Sequence, residues 1–92
     1  MPPVRIHVVV SGEVQGIGYR AFIKRRAQSI GVIGWIRNLE NGSVEAVFQG
    51  ESDIIEEVIA ICNRGPVFAR VKNVQVFKEE PRDDLSNFSI IG

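Results

Sequence analysis

Ser11-Gly12-Glu13-Val14-Gln15-Gly16-Ile17-Gly18-Tyr19-Arg20 is the stretch on which the fold turns. Before it, Val4, Ile6, Val8 and Val10 alternate with Arg5, His7, Val9 and Ser11, the period-two pattern of a strand with one buried face. After it, Tyr19, Phe22, Ile23, Ala27 and Ile30 fall on one helical face, Arg20, Lys24, Arg25 and Gln28 fall elsewhere, and Gly31 provides a stop. A glycine-rich loop thus joins a first strand to a first helix. Glycines open backbone conformations closed to other residues, so consecutive N–H groups can turn inward into a nest. The helix that follows adds roughly half a positive charge at its N-terminus. The stretch therefore reads as an anion cradle. Arg20, in the first helical turn, offers the same oxyanion a planar fork of donors that a lysine point charge could not match.

Working outward, Val32 to Asn38 is β-branched and aromatic and ends at Leu39-Glu40-Asn41-Gly42, whose Asn-Gly pair signals a hairpin. Ser43 to Gln49 alternates Val44, Ala46 and Phe48 against Glu45, Val47 and Gln49, and Gly50 closes that strand. Asp53 followed by Glu56 reads as a capping pair for a second helix. Its apolar stripe is Ile54, Ile55, Val58, Ile59, Ile61 and Cys62, and Gly65-Pro66 ends it. Val71 to Phe77 reads as a strand with Val74 and Val76 facing one way, Lys78 to Ser86 as a charged, exposed connection, and Phe88, Ile90 and Ile91 as a short final strand. The order βαββαβ predicts an α+β, ferredoxin-like sandwich: a four-stranded antiparallel sheet, order 4-1-3-2, with both helices on one face and a short extra C-terminal strand.

Composition sets the limits. The 92 residues, 45% hydrophobic and 24% charged, predict one soluble domain spanning 1–92. Zero net charge argues against a general nucleic-acid or membrane binder, which needs a basic excess or patch. One cysteine, Cys62, forbids an internal disulfide; with no signal peptide or long apolar segment, the expected location is the cytoplasm. One histidine and one cysteine cannot build a transition-metal cluster, so no metal or cofactor is expected.

Two linked motifs give the chain a resemblance to the acylphosphatase family. Gly12 to Arg20 is similar to that family's phosphate-cradle signature, and Gly34-Trp35-Ile36-Arg37-Asn38 followed by Gly42, Val44 and Gly50 is similar to its second signature. The similarity continues through Arg64-Gly65-Pro66 and Ala69-Arg70-Val71 to Phe88, essentially the whole chain. Departures are mild: Ile17 stands where valine is usual, Tyr19 where phenylalanine is usual, and Ile36 where a smaller residue is common. The resemblance implies metal-independent hydrolysis of an acyl phosphate to a carboxylate and inorganic phosphate by a monomeric enzyme acting on a small molecule. It implies that Arg20 binds the phosphoryl oxygens with backbone N–H groups of Gln15, Gly16, Ile17, Gly18, Tyr19 and Arg20, and that Asn38 orients the attacking water. An amide cannot serve as general base at neutral pH, so the water's proton is expected to pass to a phosphate oxygen of the substrate.

Each feature also has a plainer interpretation. A lone glycine loop is often only a tight turn, a lone strand-end asparagine often only a turn residue, and Lys24-Arg25-Arg26 a solvated helix face. Gln15 reads as a weak structural support for the loop, His7 as a strand residue on the face away from the helices, Cys62 as core, and Trp35, on the side of Ile33, as packing. The glycine spacing fits neither a P-loop nor a dinucleotide fingerprint. Two alternatives remain: a non-catalytic or weakly catalytic domain binding acyl or carbamoyl phosphate within a larger maturation protein, and, more remotely, an RNA-binding module of the same topology.

Overall fold

A computed structural model describes residues 2–92. In chain order the elements are β1 (Val4–Glu13), α1 (Tyr19–Ile30), β2 (Ile33–Asn38), β3 (Val44–Gly50), α2 (Ser52–Arg64), β4 (Arg70–Glu79) and β5 (Phe88–Ile90). They form one sheet of order β4-β1-β3-β2-β5, the expected 4-1-3-2 arrangement with the terminal strand added beside β2. β5 lies parallel to β2, while β1–β3, β1–β4 and β2–β3 are antiparallel. α1 packs over β2 and β5, and α2 over β1, β3 and β4, so both helices share one face.

The period-two pattern of β1 explains its central place. Ile6, Val8 and Val10 are each 4% exposed or less and meet Val44, Ala46 and Phe48 of β3 together with Tyr19, Ile23 and Ala27 of α1 and Ile55, Val58, Ile61 and Cys62 of α2. β2 contributes Ile36, and β5 contributes Phe88, whose ring stacks on Phe48 with centroids 5.3 Å apart. Trp35, expected as packing, lies half-buried on the opposite face, with the Arg37 guanidinium 5.8 Å from its ring centroid.

Three local expectations need correction. β1 and β4 run further than their apolar patterns suggest, because a register shift between Ser11 and Gly12 lets pairing continue to Gly12–Val71 and Glu13–Arg70. The Asp53–Glu56 capping pair does not form: α2 starts at Ser52 with Glu51 as N-cap, and the Asp53 carboxylate accepts the adjacent Ile54 N–H at 2.9 Å.

The third correction concerns Lys78 to Ser86. Lys78 and Glu79 belong to β4; beyond them Glu80 to Asp84 are exposed, as expected, yet tied as a strap to the open sheet face by specific bonds. Arg5, 3% exposed, donates to both oxygens of Asp84 at 2.8 and 3.3 Å, to Glu79 at 3.1 Å and to the Gln49 Oε1 atom at 3.2 Å. Gln49 in turn bonds both backbone groups of Arg82, its amide donating at 2.9 Å and its Oε1 accepting at 3.1 Å. A buried guanidinium is tolerable only when its donors are met, and the strap supplies the acceptors. The Arg5 hydrogen bond, chiefly, holds the Asp84 carboxyl below the usual carboxylate range.

His7 stands on that same open face, as expected, with Nε2 2.7 Å from Glu45 Oε2. Arg37 Nε donates to the other Glu45 oxygen at 2.6 Å. Partial burial pushes the Glu45 carboxyl up, but hydrogen bonds from His7 and Arg37 outweigh it and hold the group low.

Candidate active site

The loop leaving β1 reaches α1 through two residues that only glycine adopts readily: Gly16 has φ +75° and Gly18, the N-cap of α1, has φ +82° in the left-handed region. The consequence is a run of donors without backbone partners among the described residues. After the strand, the first backbone N–H to find an acceptor among the described residues is that of Phe22, which donates to Gly18 O at 2.9 Å. The N–H groups from Gln15 to Ala21 are left free, combining a loop nest with the unpaired first turn of a helix.

The local charge favours an anion. No acidic residue lies in the first turn of α1, and Arg20, part-buried, makes no ion pair among the described residues. Glu13, the carboxylate within the motif, is exposed and turned to Arg70 across the β1–β4 pair at 3.4 Å. A pocket of about 170 Å³ opens at this point, lined by Val14, Gly16, Gly18, Tyr19, Arg20, Ala21 and Ile90. Of the six residues expected to bind phosphate, Gly16, Gly18, Tyr19 and Arg20 line it; Gln15 and Ile17 do not.

Each of those two has another task. Ile17 packs its side chain against the core. Gln15 donates from Nε2 to Leu39 O at 2.7 Å and to Ser43 O at 2.8 Å, clamping the cradle to the β2–β3 turn. With two carbonyl oxygens as partners, the amide end facing them must be the NH₂. This clamp seizes the residue next to Asn38, so the two sequence motifs are tied by one side chain.

Asn38 closes β2, paired with Val44, and does not line the 170 Å³ pocket. Its Oδ1 atom is buried without a hydrogen-bond partner among the described residues. An acceptor in that state costs about 1–3 kcal/mol. The turn does not need it, since Asn41 takes the local role by accepting the Ser43 N–H at 2.9 Å.

Tyr19 contributes backbone to the cradle and side chain to the core. Its hydroxyl, 1% exposed with its ring, donates to Cys62 O at 2.7 Å near the end of α2. That carbonyl would normally accept from residue 66, but Pro66 has no N–H, so the tyrosine satisfies it. Burial pushes the Tyr19 hydroxyl well above its ordinary range and the Cys62 thiol up to about 12, which fits the reading of Cys62 as core rather than nucleophile.

Sequence reading missed Val14, Ala21 and Ile90 as parts of the pocket. No local signal marks them, because only the packing of β5 beside β2 carries Ile90 to the cradle. Among the described residues no group of three or more His, Cys, Asp or Glu side chains stands together as a metal site would need.

The chain matches the family described as Acylphosphatase over residues 6–90. The acylphosphatase of Roseiflexus sp. (strain RS-1) is 46% identical over 91 residues, covering 99% of this chain and 98% of that relative. The crystal structure of acylphosphatase from Bacillus subtilis is similar at a TM-score of 0.93 and 26% identity, over 97% of this chain and 99% of that one. T. kodakarensis HypF is similar at a TM-score of 0.83 and 27% identity, over 97% of this chain but 12% of HypF. The glycine cradle, the sheet order and a match along nearly the full length agree, and the chain belongs to the acylphosphatase family.

Proposed function

We infer that the protein hydrolyses acyl phosphates, releasing a carboxylate and inorganic phosphate. The observation that carries this reading is the run of unbonded N–H groups from Gln15 to Ala21 beside an arginine with no ion pair. In the reaction the phosphoryl group sits in the cradle, its oxygens taken by the N–H groups of this run that line the pocket and by the Arg20 fork. Asn38 orients a water in line with the phosphorus through its side-chain amide. The water oxygen bonds to phosphorus, the bond from phosphorus to the carboxylate oxygen breaks, and the carboxylate departs with the electron pair. The water's proton passes to a non-bridging phosphate oxygen, since an amide cannot accept it. Positioning and charge compensation carry the rate, as suits a loose phosphoryl transition state.

On this reading residues 1–92 act as one monomeric domain in the cytoplasm on a small-molecule substrate, with no cofactor, nucleic acid or membrane. No described helix is long and apolar enough to cross a membrane. The 46% identity to a small acylphosphatase, against 27% to HypF, favours the enzyme reading over a binding domain. An RNA-binding sheet is disfavoured because Trp35 and Phe77 stand on β2 and β4 while the central strands present a His7–Glu45 pair. The test is phosphate release from benzoyl phosphate and from a phosphate monoester, both with chelator present. Release from the acyl phosphate alone is expected; equal release from both, or none from either, contradicts the reading. A pH–rate profile dominated by an enzyme-side base would overturn the substrate-assisted proton transfer.

A further inference from the structure

We propose that Ile90, with Ala21, forms an acyl-contacting wall that makes this site select acyl phosphates whose acyl group is apolar. The proposal rests on the acylphosphatase reading and adds the substrate class. The pocket has two chemically distinct sides. Gly16, Gly18 and Arg20 bring donors and a positive charge to its lining, while the side chains that Ala21 and Ile90 bring to it are hydrocarbon.

The placement of Ile90 follows from the sheet. β5 is anchored by Phe88, 2% exposed in the core, and by two backbone bonds at its ends, Gly34 N–H to Asn87 O and Ile91 N–H to Ile36 O, both 2.9 Å. Between these anchors Ile90 pairs with Ile36, two residues before Asn38, and stays 38% exposed. A large aliphatic side chain is thus held open to solvent beside the phosphoryl cradle and next to the strand that carries Asn38.

Size and charge then define the ligand. At about 170 Å³ the pocket lies below the roughly 300–1,000 Å³ of sites that enclose drug-sized ligands. It holds the phosphoryl group and the first acyl atoms, and the rest of the acyl group passes over Ile90. Arg20 is the single cation in the lining and is taken by the phosphoryl group. A second carboxylate on the acyl group would lie against Ile90 without a partner, at a desolvation cost.

The test measures KM and kcat for benzoyl, acetyl and succinyl phosphate, with the inhibition constant of inorganic phosphate, in the wild type and in Ile90→Val, Ile90→Ala and Ile90→Lys. The wild type is expected to show its lowest KM for benzoyl phosphate. Ile90→Ala should raise that KM about five-fold, the worth of roughly 40 Å² of lost apolar contact. It should leave kcat, the acetyl phosphate KM and phosphate inhibition near wild type, with Ile90→Val in between. Ile90→Lys should reverse the preference toward succinyl phosphate. Equal shifts for all three substrates and for phosphate would mean that β5 supports the cradle only, and no shift would mean that the acyl group does not touch Ile90; either overturns the proposal. A wild type that cleaves none of the three overturns the acylphosphatase reading beneath it, so the two failures are told apart.

Discussion

Replacing Tyr19 by phenylalanine removes one oxygen atom and tests how the cradle is anchored. Phenylalanine is the residue usual in the family at this position, so the ring itself fits. The lost bond is Tyr19 hydroxyl to Cys62 O, 2.7 Å long and buried. Because Pro66 cannot donate to that carbonyl, the variant leaves an orphaned buried acceptor, which places the cost at about 1–3 kcal/mol rather than at the lower value for a bond whose partners can re-pair. For a domain of this size each kcal/mol moves the melting temperature by about 4–8 °C, so a central value of about 2 kcal/mol predicts a fall of roughly 8–16 °C by calorimetry at pH 7. The pH dependence supplies a second reading. Burial raises the hydroxyl's folded pKa above its unfolded value near about 10. The unfolded state therefore sheds the proton first, and wild-type stability from this group declines as pH rises above about 10. The gap between wild type and Tyr19→Phe should be full at pH 7 and narrow in alkali. A melting temperature within about 2 °C of wild type at pH 7, or a gap that widens with pH, would refute the reasoning.

Other consequences can be measured with the same tools. Gln15→Ala should lower kcat about ten-fold with stability reduced by only about 1–2 kcal/mol, because Leu39 O and Ser43 O each keep one backbone donor after the clamp is lost; wild-type turnover would sever the cradle from the turn. Gly34→Ala should cost about 3 kcal/mol or more in urea unfolding, since at φ +152° an added Cβ runs into Val47 O across the β2–β3 pair; a neutral change would contradict that packing. Asp84→Asn should destabilise at neutral pH. Its carboxyl is held low in the folded state, so the Arg5–Asp84 contribution is present above about pH 4 and fades as pH falls through the folded pKa. The variant and wild type should therefore converge in acid, and a constant difference down to pH 2 would show that the strap does not act through that charge.

Residues that act through local pattern were readable from sequence. β1, α1 and the stripe of α2 declare themselves by period, and the cradle by its glycines and Arg20, because each depends on neighbours a few positions away. What escaped depends on distant pairing. Arg5 looked like an outward residue of an alternating strand, yet Gln49, Glu79 and Asp84, far along the chain, bury it. Gln15 looked like a phosphate ligand with a minor supporting side chain, and the supporting role proves to be a clamp on a turn more than twenty residues away. Ile90 signalled a strand and nothing more, since only the parallel seat beside β2 gives it a pocket to face. Asn38 owes its part in the proposed site to the family resemblance, and the fold adds an unpaired acceptor that a plain turn residue would not keep.

The central claim is a division of labour, Arg20 holding the phosphoryl group and Asn38 the water, and comparing Arg20→Ala with Asn38→Ala tests it most directly. Both should lower kcat for benzoyl phosphate by about 10²-fold or more, the scale of losing a transition-state donor. Inhibition by inorganic phosphate should separate them, weakening sharply in Arg20→Ala and staying near wild type in Asn38→Ala. The second variant should melt no lower than wild type, because it removes an unpaired buried acceptor. Wild-type turnover in either variant, or equal loss of phosphate inhibition in both, would contradict the account.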